Sequence, residues 1–406
     1  MNTPLDGLRI LDLTNVVMGP YATQVLADYG ADVIKIEVPS GDTTRQIPPM
    51  RHADMGTTFL HLNRNKRSVV LDLKDADGLA AFLALADQCD VFITNVRPAG
   101  LARLGIDYET LRVRNPRLIW VGLTGFGEGG AYSGQPAYDD LIQSLTAVPD
   151  MLVRTGSDHP HFVPLAFNDR AVGLHAAIAL LAAVHQRAAT GQGQQIDVPM
   201  YETMVQFTLG DHMGGHTYEP PIGPPGYQRT LNPARHPYRT QDGYVTAIIY
   251  TDRHWRDFFA LVGQPDRFAT DPTVQTLRSR TEHSEALYRE VGEAIRQGTT
   301  EQWLDRFAGA DIPAAPMHTL ESAIYDRHLQ DVGFFQLTEH PTEGLIRQMS
   351  MPSTWSGARF PDPRPAPGLG EHTEEVLRDA GVPDDRILRL TGRATEAAPA
   401  IEEKTA

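Results

Sequence analysis

Residues 7 to 125 carry two alternating hydrophobic textures: short apolar runs and longer helical stretches. Leu8-Arg9-Ile10-Leu11-Asp12-Leu13 reads as a strand, and Pro20 to Tyr29 as a helix that stops at Gly30. Ala31 to Glu37 is the next strand. Ser68 to Leu73 is another, followed by a helix from Ala76 to Gln88. Asp90 to Thr94 and Leu118 to Leu123 complete the set. Strand and helix in this order predict an α/β fold, a mostly parallel Rossmann-like sheet with helices on both faces. Such sheets bind ligands beyond the carboxyl ends of their strands. The segments Thr14 to Pro20, Glu37 to Asp42, Asn95 to Arg103 and Thr124 to Gly130 all follow strands, so they are candidate ligand loops.

The texture changes after residue 209. Residues 210–239 are rich in Gly, Pro, His and Tyr, with Pro220-Pro221 and Pro224-Pro225, and read as an irregular connector. A smaller α/β unit follows over 240–318. It has a strand at Tyr244 to Tyr250 and helices at Thr251 to Val262, Ser284 to Gln297 and Thr300 to Ala308. Beyond it, a helix is expected near Thr319 to Asp326, a strand at Gly344 to Ser350 and a helix at Thr373 to Ala380. Residues 394–406 are charged and Ala-rich and read as a disordered tail.

Charge and composition narrow the function. A net charge of −15 argues against nucleic-acid binding. Basic residues still cluster locally: Arg64, Lys66 and Arg67, then Arg97 and Arg103, then Arg112, Arg114 and Arg117. Composition alone leaves a phosphate site and a solvated basic face equally open for them. No apolar run is expected to reach the roughly 20 residues that span a bilayer. The start, Met1 to Asp6, lacks the features of a signal peptide. A single cysteine, Cys89, leaves no intramolecular disulfide and no Cys-rich metal site. A cytoplasmic setting is the expectation. No Gly-x-Gly-x-x-Gly follows the first strand, so a nicotinamide or flavin is poorly supported, and no metal is expected.

One carboxylate stands out. Phe167-Asn168-Asp169-Arg170 leads into the small-sided apolar stretch Ala171 to Leu181. A charge at the mouth of such a helix is costly unless something pairs or uses it. The residues alone leave two roles open for Asp169, a helix cap or a nucleophile. His161, His175 and His185 flank this helix and read as core or surface histidines.

The chain resembles the family III CoA-transferases, a group with formyl-CoA:oxalate transferase, the carnitine CoA-transferase and α-methylacyl-CoA racemase. The resemblance begins with Pro4-Leu5-Asp6-Gly7-Leu8-Arg9-Ile10-Leu11-Asp12 and Leu26-Ala27-Asp28-Tyr29-Gly30-Ala31-Asp32. Asn63-Arg64-Asn65-Lys66-Arg67-Ser68, Asn95-Val96-Arg97-Pro98 and Asn115-Pro116-Arg117 continue it. Gly125-Phe126-Gly127, Gly191-Gln192-Gly193-Gln194 and Leu369-Gly370-Glu371-His372-Thr373 complete it.

The resemblance implies that Asp169 is a nucleophile that attacks an acyl-CoA thioester. It places coenzyme A, as substrate rather than cofactor, along Val16, Val17, Leu71, Lys74, Asn95, Val96, Arg103, Tyr138 and Asp139. It also implies that 319–393 returns to the large domain of 1–209, and that two chains interlock as a homodimer. Asn95 could bond the pantetheine amide or close a turn, and Arg103 and Lys74 could pair with phosphates or stand as exposed cations.

Tyr138 occupies the place of the racemase histidine. Tyrosine, with a pKa near about 10, is a poor base at neutral pH, so transfer is favoured over racemisation. Val17 and Val38 stand where oxalate-specific enzymes carry a Gln and an Arg. The expected acceptor is therefore larger or less polar than oxalate: succinate, itaconate, mesaconate, malate, glutarate or an aryl-substituted succinate. A racemase-like isomerase and one subunit of a heteromeric transferase are the alternatives.

Overall fold

The computed structural model describes residues 3–392; the expected tail, 394–406, lies outside them. The chain divides into two compact units. The first takes residues up to 142, then 164–206, then 333 onward; the second takes 143–163 and 207–332.

In the first unit the strands are β1 (Arg9–Leu13), β2 (Asp32–Glu37), β3 (Arg67–Val70), β4 (Val91–Thr94), β5 (Ile119–Thr124) and β6 (Gln194–Pro199). They form one sheet in the order β3-β2-β1-β4-β5-β6 with every pairing parallel. The helices up to residue 190 are, in chain order, α1 (Met18–Asp28), α2 (Thr57–Leu62), α3 (Ala76–Ala86), α4 (Pro98–Leu104), α5 (Tyr108–Arg114), α6 (Asp139–Leu145), α7 (Val148–Arg154) and α8 (Phe167–Thr190); all belong to the first unit except α7, which is in the second, and α6, which crosses the boundary at residue 142. The order of strands reverses between β1 and β4. There the loops diverge to opposite faces and leave a crevice at the carboxyl ends.

Strands expected from apolar runs are found within a few residues of their expected bounds. β6 was not expected. Gln194-Gln195-Ile196-Asp197-Val198-Pro199 is polar because it is the sheet's edge, where only one flank is covered. One core cluster lies between the sheet and α3, with Leu11, Ile34, Val69, Phe82, Phe92 and Trp120. The C-terminal segment docks against β3. The Gly370 N–H donates to Ser68 Oγ at 2.9 Å and the His372 N–H to the Ser68 carbonyl at 3.0 Å.

α8 corrects one expectation. It runs 24 residues and is long and apolar enough, by length and composition, to cross a membrane. Its Val172, Gly173, Ala176, Ala177, Leu180 and Ala183 are buried, and the helix packs on α1, β5 and β6. The contact with α1 is so close that a Cβ at Gly173 would lie 2.7 Å from the Met18 carbonyl oxygen. Only glycine allows that approach, and it brings the first turn of α8 beside the first turn of α1.

The first basic cluster is neither a phosphate site nor a solvated face. Arg64, Lys66 and Arg67 are buried and pair with Asp28, Asp12 and Asp32 at 2.6, 3.3 and 2.6 Å. Sequence proximity groups these cations, but each serves a separate ion pair.

The second unit has its own core. A three-stranded antiparallel sheet, Tyr238–Arg239, Tyr244–Ala247 and Ala314–Pro316, packs with helices Asp252–Leu261, Ser284–Ile295 and Thr300–Gly309. Trp255, Phe258, Trp303 and Phe307 fill it. Thr299 caps the last of these helices in a reciprocal capping box with Gln302.

Candidate active site

A cavity of about 380 Å³ opens at the β1/β4 switch point of the first unit. Three strand ends and the segments after them wall it: Asn15, Val16 and Met18 after β1, Asn95 to Pro98 after β4, and Leu123 to Phe126 at the end of β5. Asp169 and Met200 reach it from the far side.

The walls are tied together by side chains. Asn95 Nδ2 donates to the Asn15 carbonyl at 2.9 Å, and the Asn15 N–H donates to Asn95 Oδ1 at 3.2 Å. This amide therefore laces the β1 and β4 loops across the switch point. The Gly127 N–H donates to Glu202 Oε1 at 2.9 Å and holds the glycine-rich loop after β5.

Asp169 lies in the first turn of α8, half-buried. The helix end is capped by Asp139, whose Oδ1 accepts from the N–H groups of Asn168 at 2.7 Å and Asp169 at 3.1 Å. Asn168 Nδ2 donates back to the Asp139 carbonyl at 2.8 Å. Asp139 therefore caps the helix, and the Asp169 carboxylate does not. The cap takes up two of the N–H groups at the helix start.

Burial, and then the neighbouring Asp139, push the Asp169 carboxyl up to about 7, with only Arg170 opposing. Arg170 itself lies over the Tyr21 ring at 4.9 Å. The change of ionisation of Asp169 therefore falls near neutral pH, well above that of an ordinary aspartate.

Of the residues singled out in the sequence, Val16, Asn95, Val96, Tyr138 and Asp169 line this cavity. Asp139 meets it through the cap. Tyr138 is 72 % exposed, so it is not a core aromatic. Val17, Leu71, Lys74 and Arg103 do not line it. Val17 is buried at the N-cap of α1, and Leu71 is a core residue at 1 % exposure. Lys74 and Arg103 are exposed, the former after β3 and the latter in the last turn of α4.

Arg97 and Glu128, also in the lining, fall in segments read as candidate ligand loops, whereas Met200 was missed. Arg97 was legible as a post-strand cation within Asn95-Val96-Arg97-Pro98; Met200 carried no signal, because the strand before it was not foreseen. Of the candidate loop Glu37 to Asp42, the end residues Glu37 and Asp42 are held in buried ion pairs and Val38 is exposed; none of its residues lines this cavity. Among the described residues, no group of three His, Cys, Asp or Glu side chains could hold a metal ion.

A doubly wound parallel sheet with a raised carboxyl at its switch point defines an α/β protein with a ligand-sized cleft where such sheets bind small molecules. The family model for CoA-transferase family III matches residues 5–373, and the chain belongs to that family and is a CoA-transferase. It is 34 % identical to the succinyl-CoA:mesaconate CoA-transferase of Haloarcula hispanica, over 93 % of this chain and 96 % of that one. It is 32 % identical to the formyl-CoA:oxalate CoA-transferase of Escherichia coli, over 96 % and 99 %. A CaiB/BaiF family protein from Brucella suis superposes with a TM-score of 0.78 at 28 % identity, covering 94 % of this chain and 100 % of that one.

Proposed function

We propose that the protein moves coenzyme A from succinyl-CoA, or a similar acyl-CoA, to a second carboxylic acid by covalent catalysis at Asp169. One Asp169 oxygen attacks the thioester carbonyl and the C–S bond breaks, giving a mixed anhydride and CoA thiolate. The thiolate attacks the Asp169 carbonyl carbon and releases the donor acid, leaving an aspartyl-CoA thioester. The acceptor carboxylate attacks that thioester, expelling thiolate and forming the second anhydride. Thiolate then takes the acceptor's acyl group and frees Asp169. The route consumes no water and needs no cofactor beyond its substrates.

The observation that carries this reading is a half-buried cavity carboxyl raised to about 7, freed from capping by Asp139. A more basic carboxylate is a better nucleophile, yet it is still ionised in good part at neutral pH. Incubation with succinyl-CoA and a panel of acids, followed by mass spectrometry of CoA products, tests it. Transfer to at least one acid is expected. Turnover undiminished in Asp169→Ala would overturn it.

The acceptor we propose is a dicarboxylate larger than oxalate. Val17 is buried at the α1 N-cap, so it offers neither a polar group nor a side chain to the cavity. The 34 % identity with a mesaconate-named enzyme supports the same choice. Oxalate turning over as fast as every larger acid would sink it.

We also propose an interlocked homodimer. Leu174 and Ile178 on α8 are 44 % and 65 % exposed, and Leu337 and Leu345 of the hairpin Phe335–Met349 are 62 % and 52 % exposed. Apolar surface of that extent calls for a partner, and a second chain supplies it. Light scattering at micromolar concentration should give twice the chain mass, and a monomer would contradict this.

A further inference from the structure

Six charged side chains that sum to no net charge lie beneath the β1–α1 loop. Asp12, Glu37 and Asp42 face Lys35, Arg45 and Lys66, and none is more than 3 % exposed. An apolar core would serve stability as well or better, so stability does not explain them. What charged groups add is aimed hydrogen bonds.

Three of the six reach the backbone of the loop that walls the cavity, and a fourth, Lys66, reaches the first turn of α1 that follows it. Asp12 accepts from the Thr14 N–H at 2.9 Å. Lys35 donates to the Thr14 carbonyl at 2.8 Å while pairing with Asp42 at 2.9 Å. Asp42 accepts from the Val16 N–H at 3.3 Å. Lys66 donates to the Pro20 carbonyl at 2.9 Å. Behind them, Glu37 accepts the Asp42 N–H at 3.0 Å and is gripped at two points by Arg45, at 2.8 and 2.7 Å. Val16, the residue so held, has φ of +69° and lines the cavity. A β-branched residue is a rare outlier there and persists only where its surroundings over-determine it.

We propose that this array is a positioning device for the substrate wall. Asp42, backed by Lys35 and Glu37, holds Val16 left-handed, and that fixes the cavity shape beside Asp169 that the acceptor acid occupies. The assignment rests on the CoA-transfer reading above. Asp42 acts through Val16 and touches no substrate.

Asp42→Ala, the double variant Asp42→Ala/Val16→Gly, and Val16→Pro test it against the native chain. Asp42→Ala removes the oxygen that accepts the Val16 N–H and should raise KM for the acid about tenfold and lower Tm. Adding Val16→Gly should bring KM back within about threefold of native while Tm stays low, because glycine takes φ of +69° without a clamp. No recovery of KM, or recovery only together with Tm, overturns the proposal. Val16→Pro leaves all six charges in place, but it lacks the N–H that Asp42 accepts and cannot take that backbone. It should raise KM about tenfold and lower Tm, and it carries the test if Asp42→Ala does not fold; a native KM overturns the proposal. If the native chain moves no CoA at all, the transfer reading falls separately. Affinity for coenzyme A by calorimetry then reads the loop. Weakening of about tenfold in Asp42→Ala and Val16→Pro, restored in the double variant, supports the clamp, and unchanged affinity overturns it.

Discussion

Asp12 and Asp169 are carboxylates of one unit, both removed from water, with opposite fates. At Asp12 burial alone would raise the pKa, but Lys66, Lys35 and the hydroxyls of Thr14 and Thr23 outweigh it and hold the group below the usual range. At Asp169 burial raises it, Asp139 raises it further, and only Arg170 opposes, leaving it at about 7. Burial is common to both; what differs is the company. Where the fold supplies cations and donors, a carboxylate becomes a structural anchor, and where it supplies another carboxylate it becomes reactive.

The strongest break of this contrast is chemical. Asp169→Ala should lower CoA transfer by about 10⁴-fold or more with the fold unchanged by circular dichroism, as expected for a lost nucleophile. Asp12 should fail the other way. Asp12→Ala leaves Lys66 buried without its carboxylate partner, and breaking such a pair costs about 3–5 kcal/mol, read from urea unfolding.

pH sharpens the contrast next. Asp169 has a raised folded pKa, so the folded state holds a proton that the unfolded chain releases. Native stability from this group therefore falls as pH climbs from about 4 to about 7, then levels off. Asp169→Asn should raise Tm by a few degrees at pH 8, and by less at pH 5. Asp12 has a lowered pKa, so its contribution is full above the ordinary aspartate value of 3.8 and is lost as pH falls from there through the lowered one. In the pH profile of kcat/KM, the native rise should centre near 7. Asp139→Asn keeps an oxygen for the cap but removes the charge, and should move the rise downward by roughly half a unit or more. The smallest effect expected is at Asn95→Ala. Unlacing Asn15 costs about 1 kcal/mol and raises KM a few-fold, by steady-state kinetics.

Much of the first unit was legible because its strands are buried on both faces and read as apolar runs. β6 was hidden by its edge position; α8 was read from its small-sided apolar stretch, though not in its full reach to Thr190. At the site, Asp169 could be read from the cost of its charge. The cap by Asp139 could not, since it joins residues thirty positions apart. Nor could the pairing of Lys35 with Asp42 or of Lys66 with Asp12. Charges written along a strand look solvated until the fold shows them facing one another. That is why Glu37 and Asp42, at the two ends of the loop after β2, could not be read beforehand as anchors of the neighbouring loop.

The most direct test is to catch the enzyme with coenzyme A attached. The native chain is incubated with succinyl-CoA without acceptor, quenched in acid and digested with trypsin. The peptide Thr155–Arg170, which carries Asp169, is weighed by mass spectrometry. The account predicts that this peptide gains coenzyme A less one water, that adding acceptor acid removes the adduct, and that hydroxylamine converts it to a hydroxamate at Asp169. An adduct at another residue, or full turnover with no adduct at Asp169, would contradict it.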